Sequence, residues 1–185
     1  MTCIVGLVDK GVIYMGGDSA AVGGLSIEVR ADPKVFVRGP MVFGFTSSFR
    51  MGQILEHALH VPEQLPSKSD IAYLVTDFVD AVRALYRERG FMGKEYEREA
   101  GGTFLLGYRE GLYMVSDDFQ VGRSLHPFSA VGCGGDIALG ALHATRRSSL
   151  KPQERVLRAL EAAAEFSAGV RAPFTVVRLP APASA

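Results

Sequence analysis

The chain has 185 residues, of which 48% are hydrophobic and 22% are charged, and this is the size and composition of one ordinary globular domain. Its 20 basic and 20 acidic residues cancel, so it lacks the positive excess that is typical of nucleic-acid-binding proteins. No apolar run approaches the roughly 18 residues of a membrane span, no secretory signal is recognisable, and two cysteines are a poor disulfide framework, so we expect a cytoplasmic protein.

The first 46 residues have the pattern of a β-meander. Apolar runs at 3–9 and 12–17, separated by Lys10-Gly11, predict a hairpin with a tight turn. Three further strands are predicted, at 26–30, 34–38 and 41–45. We therefore expect consecutive strands in this part of the chain to pair with each other.

The hydrophobic period becomes helical after this meander. One helix is predicted from Ser48 to about His60, and a second over 70–89, where apolar residues recur on one helix face. Asp70 stands where an N-cap belongs and Gly90 where a C-cap belongs. The polar stretch 92–101 that follows is interpreted as a loop.

The second half of the chain repeats the order of strands followed by helices. Strands are predicted at 103–108, 112–116 and 128–132, helices at 135–147 and 153–168, and a last strand at 173–179. The tail, 180–185, is expected to be frayed. Consecutive hairpins favour antiparallel sheets, and paired helices favour layers. We therefore predict one α+β domain over 1–185, a four-layer αββα sandwich of two antiparallel sheets flanked by helix pairs.

Thr2, directly before the first strand, is a candidate nucleophile. Removal of Met1 would leave a hydroxyl and a free α-amine on one residue, and this pair can act as nucleophile and base. The ordinary pKa of such an amine is about 7.7–8.0, and a lysine cation nearby would lower it further. The alternative is that Thr2 simply begins a strand.

Asp18 and Lys34 are the candidate partners of Thr2. Asp18 ends the second predicted strand in the sequence GGDS, which is equally typical of a turn. Lys34 opens a later strand, where the alternative is a solvated lysine. Antiparallel neighbours could bring both side chains to the sheet edge that holds Thr2, although spacing alone leaves this open.

These residues and their spacing resemble the N-terminal-nucleophile (Ntn) hydrolase family of bacterial HslV-type proteins and proteasome β-subunits. The family's threonine, aspartate and lysine fall at this spacing without gaps. The similarity continues in VFGFTSS at 42–48, in VGCGGDIALGAL at 131–142 and in RALEAAAEFSAGV at 158–170. It thus covers nearly the whole chain, and four individually weak motifs in the right order are together specific.

The resemblance implies the Ntn fold and a threonine peptidase that cleaves peptide bonds. Thr2 would attack the peptide carbonyl, Lys34 would lower the pKa of the Thr2 amine, and Asp18 would keep Lys34 charged. The N–H of Gly44 would stabilise the oxyanion. Cys133 stands where the family has a supporting serine, and its thiol is a weaker hydrogen-bond donor.

The resemblance also implies a groove that binds the substrate as an added strand. The pairing edge is expected at Ala21 and Val22. Val42 and Thr46 are expected to flank the first specificity pocket, which predicts a preference for apolar side chains of modest size.

The partners implied by the resemblance are further copies of the chain, assembled into stacked rings that enclose the active sites, and polypeptide substrates. No cofactor, nucleic acid or membrane is expected. Because the sequence has no G-x-x-x-x-G-K-[ST] motif, any ATPase unfoldase is expected to be a separate chain.

Four alternatives to a threonine peptidase fit parts of the sequence. A catalytically silent, ring-forming scaffold of the same fold would usually have lost one of the three site residues, and an Ntn amidase or acylase usually has insertions around the mouth of the site. A GDS-type esterase with Ser19 as nucleophile needs a late Asp-x-x-His, which is absent. His57 and His60 lie three apart on a predicted helix without the carboxylates that would complete a metal site.

Overall fold

Two antiparallel sheets form the centre of the computed structural model, which describes residues 1–95 and 98–181. The strands are β1 Ile4–Asp9, β2 Val12–Gly17, β3 Ala20–Gly23, β4 Ser26–Val29, β5 Val35–Arg38, β6 Met41–Phe45, β7 Gly93–Glu95, β8 Arg98–Ala100, β9 Phe104–Tyr108, β10 Gly111–Val115, β11 Val121–Arg123, β12 Phe128–Val131 and β13 Thr175–Leu179. The helices are α1 Phe49–Ala58, α2 Asp70–Tyr73, α3 Val79–Glu88, α4 Gly135–Ala144 and α5 Pro152–Phe166, with a π-helical turn, Leu74–Phe78, joining α2 to α3.

The sheets and helices form four layers. The first sheet has the order β12-β1-β2-β13 and packs its outer face against α4 and α5, while the second has the order β11-β10-β9-β6-β5 and packs against α1 to α3. Between the sheets lies a third apolar cluster, which includes Ile4, Met15 and Leu105. The predicted αββα sandwich is therefore confirmed.

The side chains of β1 pack into two different apolar clusters, one on each face of the first sheet. Successive side chains of a strand point to opposite faces of the sheet. Ile4 accordingly packs between the sheets, whereas Val5 and Leu7 pack against the helices. The β1–β2 hairpin turns at Lys10 (φ +50°) and Gly11 (φ +77°), the positive pair that a two-residue hairpin loop prefers.

The predicted meander is wrong, because the first six strands are distributed over three sheets. The free edge of β2 is taken by β13, with Gly17 opposite Thr175, so β3 has no place beside β2. The chain instead leaves the sheet and forms the separate β3–β4 hairpin before β5 and β6 enter the second sheet. Strands β3 and β11 were not predicted.

The polar stretch predicted as a loop contains a second small hairpin, β7–β8. Ion pairs hold it to the body, since Arg83 and Arg87 of α3 both donate to Glu99 of β8. Apolar alternation, the usual signature of a strand, is absent here.

The second predicted helix is present with two differences. Its N-cap is Ser69, whose side chain accepts from the Ala72 N–H, and the π-helical turn interrupts its middle. Gly90, with φ +65°, follows its end as predicted. Within the described ranges, none of the helices combines the length and the apolar character needed to cross a membrane.

Candidate active site

The predicted nucleophile and its two partners meet where three strands begin or end. Thr2 precedes β1, Asp18 follows β2, and Lys34 precedes β5. All three are buried, with 3%, 1% and 1% of their surfaces exposed, respectively. Spacing alone left this meeting open, and the structure brings the three side chains into direct contact.

Lys34 is the centre of this contact. Its Nζ donates to Thr2 Oγ1 at 2.9 Å, to Asp18 Oδ1 at 2.9 Å and to the Ala20 carbonyl at 2.6 Å. A lysine ammonium has three N–H donors, so each finds an acceptor. Burial lowers the pKa of Lys34, and the Asp18 carboxylate beside it opposes that shift.

Asp18 is held in place by backbone N–H groups as well as by Lys34. Its Oδ1 accepts from the Cys3 N–H at 3.0 Å, and its Oδ2 accepts from the N–H groups of Ala20 at 2.9 Å and Arg171 at 3.3 Å. A buried carboxylate is tolerated only when its oxygens are paired in this way. The carboxylate therefore forms a fixed negative anchor for the lysine.

Thr2 presents its hydroxyl to Lys34 and its nitrogen to Cys133. The Thr2 N–H lies 3.3 Å from Cys133 Sγ, and the hydroxyl also donates to the Met1 carbonyl. While Met1 is attached, this nitrogen is a peptide amide and has no basic lone pair. The Thr2 nitrogen would become a free amine only after removal of Met1.

The turn from β12 into α4 forms the opposite wall. Gly132 has φ +98°, and a Cβ there would lie 2.2 Å from the Thr2 carbonyl oxygen, so only glycine fits. The Gly134 N–H donates to the same oxygen at 3.3 Å. Cys133 stands between these glycines, with its Sγ 3.5 Å from the hydroxyl oxygen of Ser167.

Gly44 does not lie at the site. It is in the middle of β6, and a Cβ there would come within 2.3 Å of Ile4 Cγ2 in the core. The Thr46 N–H donates to Thr103 O at 3.2 Å, toward β9. Hydrogen-bond direction alternates along an antiparallel strand, so the Gly44 N–H also points into the β6–β9 ladder, where its partner is Leu105. The prediction that Gly44 is the oxyanion donor is therefore wrong.

Ser47, which the sequence analysis missed, is better placed. It lies two residues after the end of β6, and its Oγ accepts from the Thr103 N–H at 2.8 Å. No described residue accepts from the Ser47 N–H. The signal in the sequence was a Ser-Ser pair between a buried strand and a helix, in which Ser48 caps α1 by accepting from Arg50.

The open edge of the β3–β4 hairpin presents the backbone of Val22. The Arg30 N–H donates to the Ser19 carbonyl at 2.9 Å, so by alternation the backbone groups of Ala21 face β4. Those of Val22 consequently face away from β4. Ala21 cannot pair with a substrate strand, whereas Val22 can.

The two residues predicted to flank the specificity pocket, Val42 and Thr46, lie in different surroundings. Val42 is fully buried and packs between the sheets, so the prediction that it lines a substrate pocket is wrong. Thr46 lies beside Thr2, since a Cβ on Gly132 would meet both Thr2 O, at 2.2 Å, and Thr46 Cγ2, at 3.4 Å.

Phe49 and Arg30 are further neighbours that the sequence did not indicate. The Arg30 guanidinium lies 4.1 Å from the centre of the Phe49 ring, and Lys34 Nζ lies 5.6 Å from the same centre. These contacts join residues that are far apart in the sequence, so no local sequence pattern indicates them.

Comparison with known proteins places this arrangement in a known fold. No protein-family model and no curated protein matches the chain. Among solved structures, Thiobacillus denitrificans BPH is 20% identical over 99% of this chain and 100% of that chain, with a TM-score of 0.82. The same protein in complex with epoxomicin gives a TM-score of 0.81 at 21% identity over 98% of this chain and 100% of that chain.

Two further structures have the same architecture. Eukaryotic HslV from Trypanosoma brucei is 16% identical over 97% of this chain and 99% of that chain, with a TM-score of 0.69. Anbu, the ancestral beta-subunit from Yersinia bercovieri, is 14% identical over 97% of this chain and 82% of that chain, with a TM-score of 0.67. The chain therefore has the Ntn-hydrolase fold of HslV and the proteasome β-subunits, as its motifs indicated.

Proposed function

We propose that this chain is a threonine peptidase of the proteasome type, activated by cleavage of the Met1–Thr2 bond. The observation that carries the proposal is the buried lysine, whose Nζ lies 2.9 Å from both the Thr2 hydroxyl and the Asp18 carboxylate. A lysine is rarely buried unless its charge is paired, as it is here by Asp18. Here it supplies a positive charge at the one hydroxyl that becomes part of a free N-terminal threonine.

The proposed reaction has two stages. Thr2 Oγ1 attacks the substrate carbonyl carbon while the freed amine, directly or through a water, takes the hydroxyl proton. Collapse of the tetrahedral intermediate breaks the C–N bond, and the amine returns the proton to the leaving nitrogen. Water then hydrolyses the ester on Thr2 by the same proton transfers. Lys34 donates a hydrogen bond to Oγ1 throughout and lowers the pKa of the neighbouring amine.

Backbone groups complete the proposed site. We assign the oxyanion donor to the Ser47 N–H, because it has no acceptor among the described residues and follows Thr46, which borders Thr2. The substrate would pair as an added strand with the open edge at Val22. Cys133 would hold the amine through its Sγ, in the position of a weak acceptor.

The comparisons support the proposal in one further respect. The BPH structure with a TM-score of 0.81 to this chain contains epoxomicin. We therefore propose that this chain also binds epoxomicin once Met1 is removed. We further propose that it assembles with copies of itself into rings, and that polypeptides reach the enclosed sites with the help of a separate ATPase where one exists.

Peptide hydrolysis by matched variants tests the function. The native chain, verified by N-terminal sequencing to begin at Thr2, is expected to cleave an unfolded protein such as casein. Thr2→Ala and Lys34→Ala should each reduce cleavage by at least 100-fold, on the scale typical for loss of a catalytic group. Thr2→Ser, which keeps the hydroxyl and the amine, should retain activity.

Lys68→Ala is the control, since Lys68 is a surface lysine paired with Asp77. It should cleave like the native chain. If a Met-free native chain cleaves no peptide, or if Thr2→Ala cleaves as fast as the native chain, the proposal is wrong and a silent scaffold is the better description.

A further inference from the structure

The surface beside the nucleophile is charged, although the sequence predicted an apolar pocket. Phe49 is half-buried and packs edge-on against Phe45, with ring centres 5.6 Å apart. The Arg30 guanidinium covers this ring at 4.1 Å. Lys34 Nζ, which contacts the Thr2 hydroxyl, lies 5.6 Å from the same ring centre, so both cations neighbour one aromatic ring.

Arg30 is held in a defined orientation. Its Nε donates to Asp32 Oδ1 at 2.9 Å and its Nη2 donates to Asp32 Oδ2 at 2.8 Å. A bidentate pair of this kind fixes both side chains. Stacking on Phe49 adds a third constraint, so the arginine is not a freely moving surface residue.

One side of the guanidinium remains available. Nη1 donates to no acceptor among the described residues, and the Arg30 side chain is 30% exposed. Both oxygens of Asp32, by contrast, already accept from Arg30. Of this ion pair, the guanidinium is therefore the group with N–H donors left over.

Arg30 also lies at the base of the hairpin that carries the proposed substrate edge. Its backbone N–H donates to Ser19, the residue before β3, and Val22 is on the same strand. A substrate strand along β3 would bring the side chain next to the attacked carbonyl past this arginine.

We infer that Arg30 is a specificity-determining residue, and that this chain cleaves preferentially after residues whose side chains accept hydrogen bonds, glutamate and glutamine above all. The inference rests on the proposed function. A substrate glutamate gains charge-assisted hydrogen bonds from Nη1, whereas a substrate lysine meets a like charge. A leucine would desolvate the guanidinium without pairing it, which is unfavourable. This replaces the preference for apolar side chains of modest size that the resemblance implied from Val42 and Thr46.

Four fluorogenic peptides test the inference. They differ only in the residue before the cleaved bond, which is glutamate, glutamine, leucine or lysine. For the native chain, kcat/KM is expected to be highest for glutamate and lowest for lysine. Arg30→Ala should reduce kcat/KM for the glutamate peptide by about 10- to 100-fold relative to the leucine peptide, the range expected for a lost hydrogen bond to a charged group.

Two other variants sharpen the result. Asp32→Asn removes the competing carboxylate and should increase the preference for glutamate over leucine. Arg158→Ala is the matched control, because Arg158 is also an exposed arginine paired with an acid, Glu161, on α5. It should leave the preference unchanged.

The outcomes separate the two proposals. Titration of Thr2 with a peptide epoxyketone counts the intact sites in each variant. If Arg30→Ala is misfolded, it does not react with the epoxyketone, and Arg30→Lys is measured in its place. If an Arg30 variant that still reacts with the epoxyketone cleaves the four peptides in the same order of kcat/KM as the native chain, the inference about Arg30 is wrong. The proposed peptidase function is then unaffected. Absence of cleavage of all four peptides by the Met-free native chain overturns the proposed function.

Discussion

Lys34 and Asp18 form an ion pair with almost no contact with water, and the proposed function gives both groups a chemical task in addition to this structural one. The lysine satisfies its three donors and the aspartate accepts from three backbone N–H groups. Removing one member of such a pair leaves an uncompensated buried charge. Loss of activity in Lys34 variants must therefore be separated from loss of stability.

A double variant makes this separation. Lys34→Met alone leaves Asp18 charged and unpaired, and it is expected to lower the free energy of unfolding by about 3–5 kcal/mol. Adding Asp18→Asn removes that charge and should recover a large part of the loss. Urea denaturation measures both values. Neither variant should cleave peptides. If the double variant is as unstable as the single one, the cost does not come from the unpaired charge.

The titration of Lys34 predicts how activity depends on pH. Burial lowers the lysine pKa, so on raising the pH the ammonium loses its proton at a lower value than the ordinary 10.4 or so. Deprotonation removes the positive charge beside Thr2 Oγ1 and leaves two N–H donors for three acceptors. We therefore expect kcat/KM to fall at alkaline pH with a midpoint below that of a solvent-exposed lysine. A profile that stays level beyond pH 10.4 would contradict this role.

At the level of elements, glycines at the β12–α4 turn allow close approach to Thr2. Gly132→Ala is expected to displace Thr2 and abolish activity, because φ is +98° and the added Cβ would lie 2.2 Å from a backbone oxygen. Gly140→Ala, in α4, meets no atom within 4 Å and should increase stability by about 1 kcal/mol without loss of activity. Thermal unfolding and peptide cleavage check the pair. Equal effects of the two changes would show that Thr2 is not constrained by this turn.

Local patterns in the sequence predicted the elements that local forces determine. The β1–β2 hairpin followed from Lys10-Gly11, and the helices from the positions of their apolar residues. The β7–β8 hairpin was missed because its support is an ion-pair contact from α3 to Glu99 rather than an apolar face. The meander failed because the strand beside β2 comes from residues 175–179, which no local pattern could indicate.

In the candidate site, too, some residues could be predicted from the sequence and others could not. Family spacing predicted Thr2, Asp18 and Lys34, and the structure places them in contact. Spacing could not show the direction of a single N–H: the resemblance indicated Gly44, whereas among the described residues it is the Ser47 N–H that has no acceptor. The side of a strand to which each backbone N–H points is known only when the strand's partner and their register are known.

At the scale of the whole molecule, the β3–β4 hairpin carries exposed apolar side chains. Leu25 is fully exposed, and Ile27 and Val29 are 39% and 53% exposed. The proposed rings would cover some of this surface. Native mass spectrometry is expected to find assemblies of many copies rather than a 19.9 kDa monomer. A monomer at micromolar concentration that still cleaves casein would remove the ring from the proposal.

The central claim is that Thr2 reacts through its hydroxyl and its own amine together. A peptide epoxyketone carries two electrophilic carbons that can take up both groups, so the mass of the N-terminal peptide, together with the loss of its reactivity toward an amine-directed reagent, tests the claim directly. We predict a peptide that begins at Thr2 and is heavier by one inhibitor molecule, and no such adduct in Lys34→Ala. An N-terminal peptide that still begins at Met1 in the active protein, or an adduct on any other residue, would contradict the account.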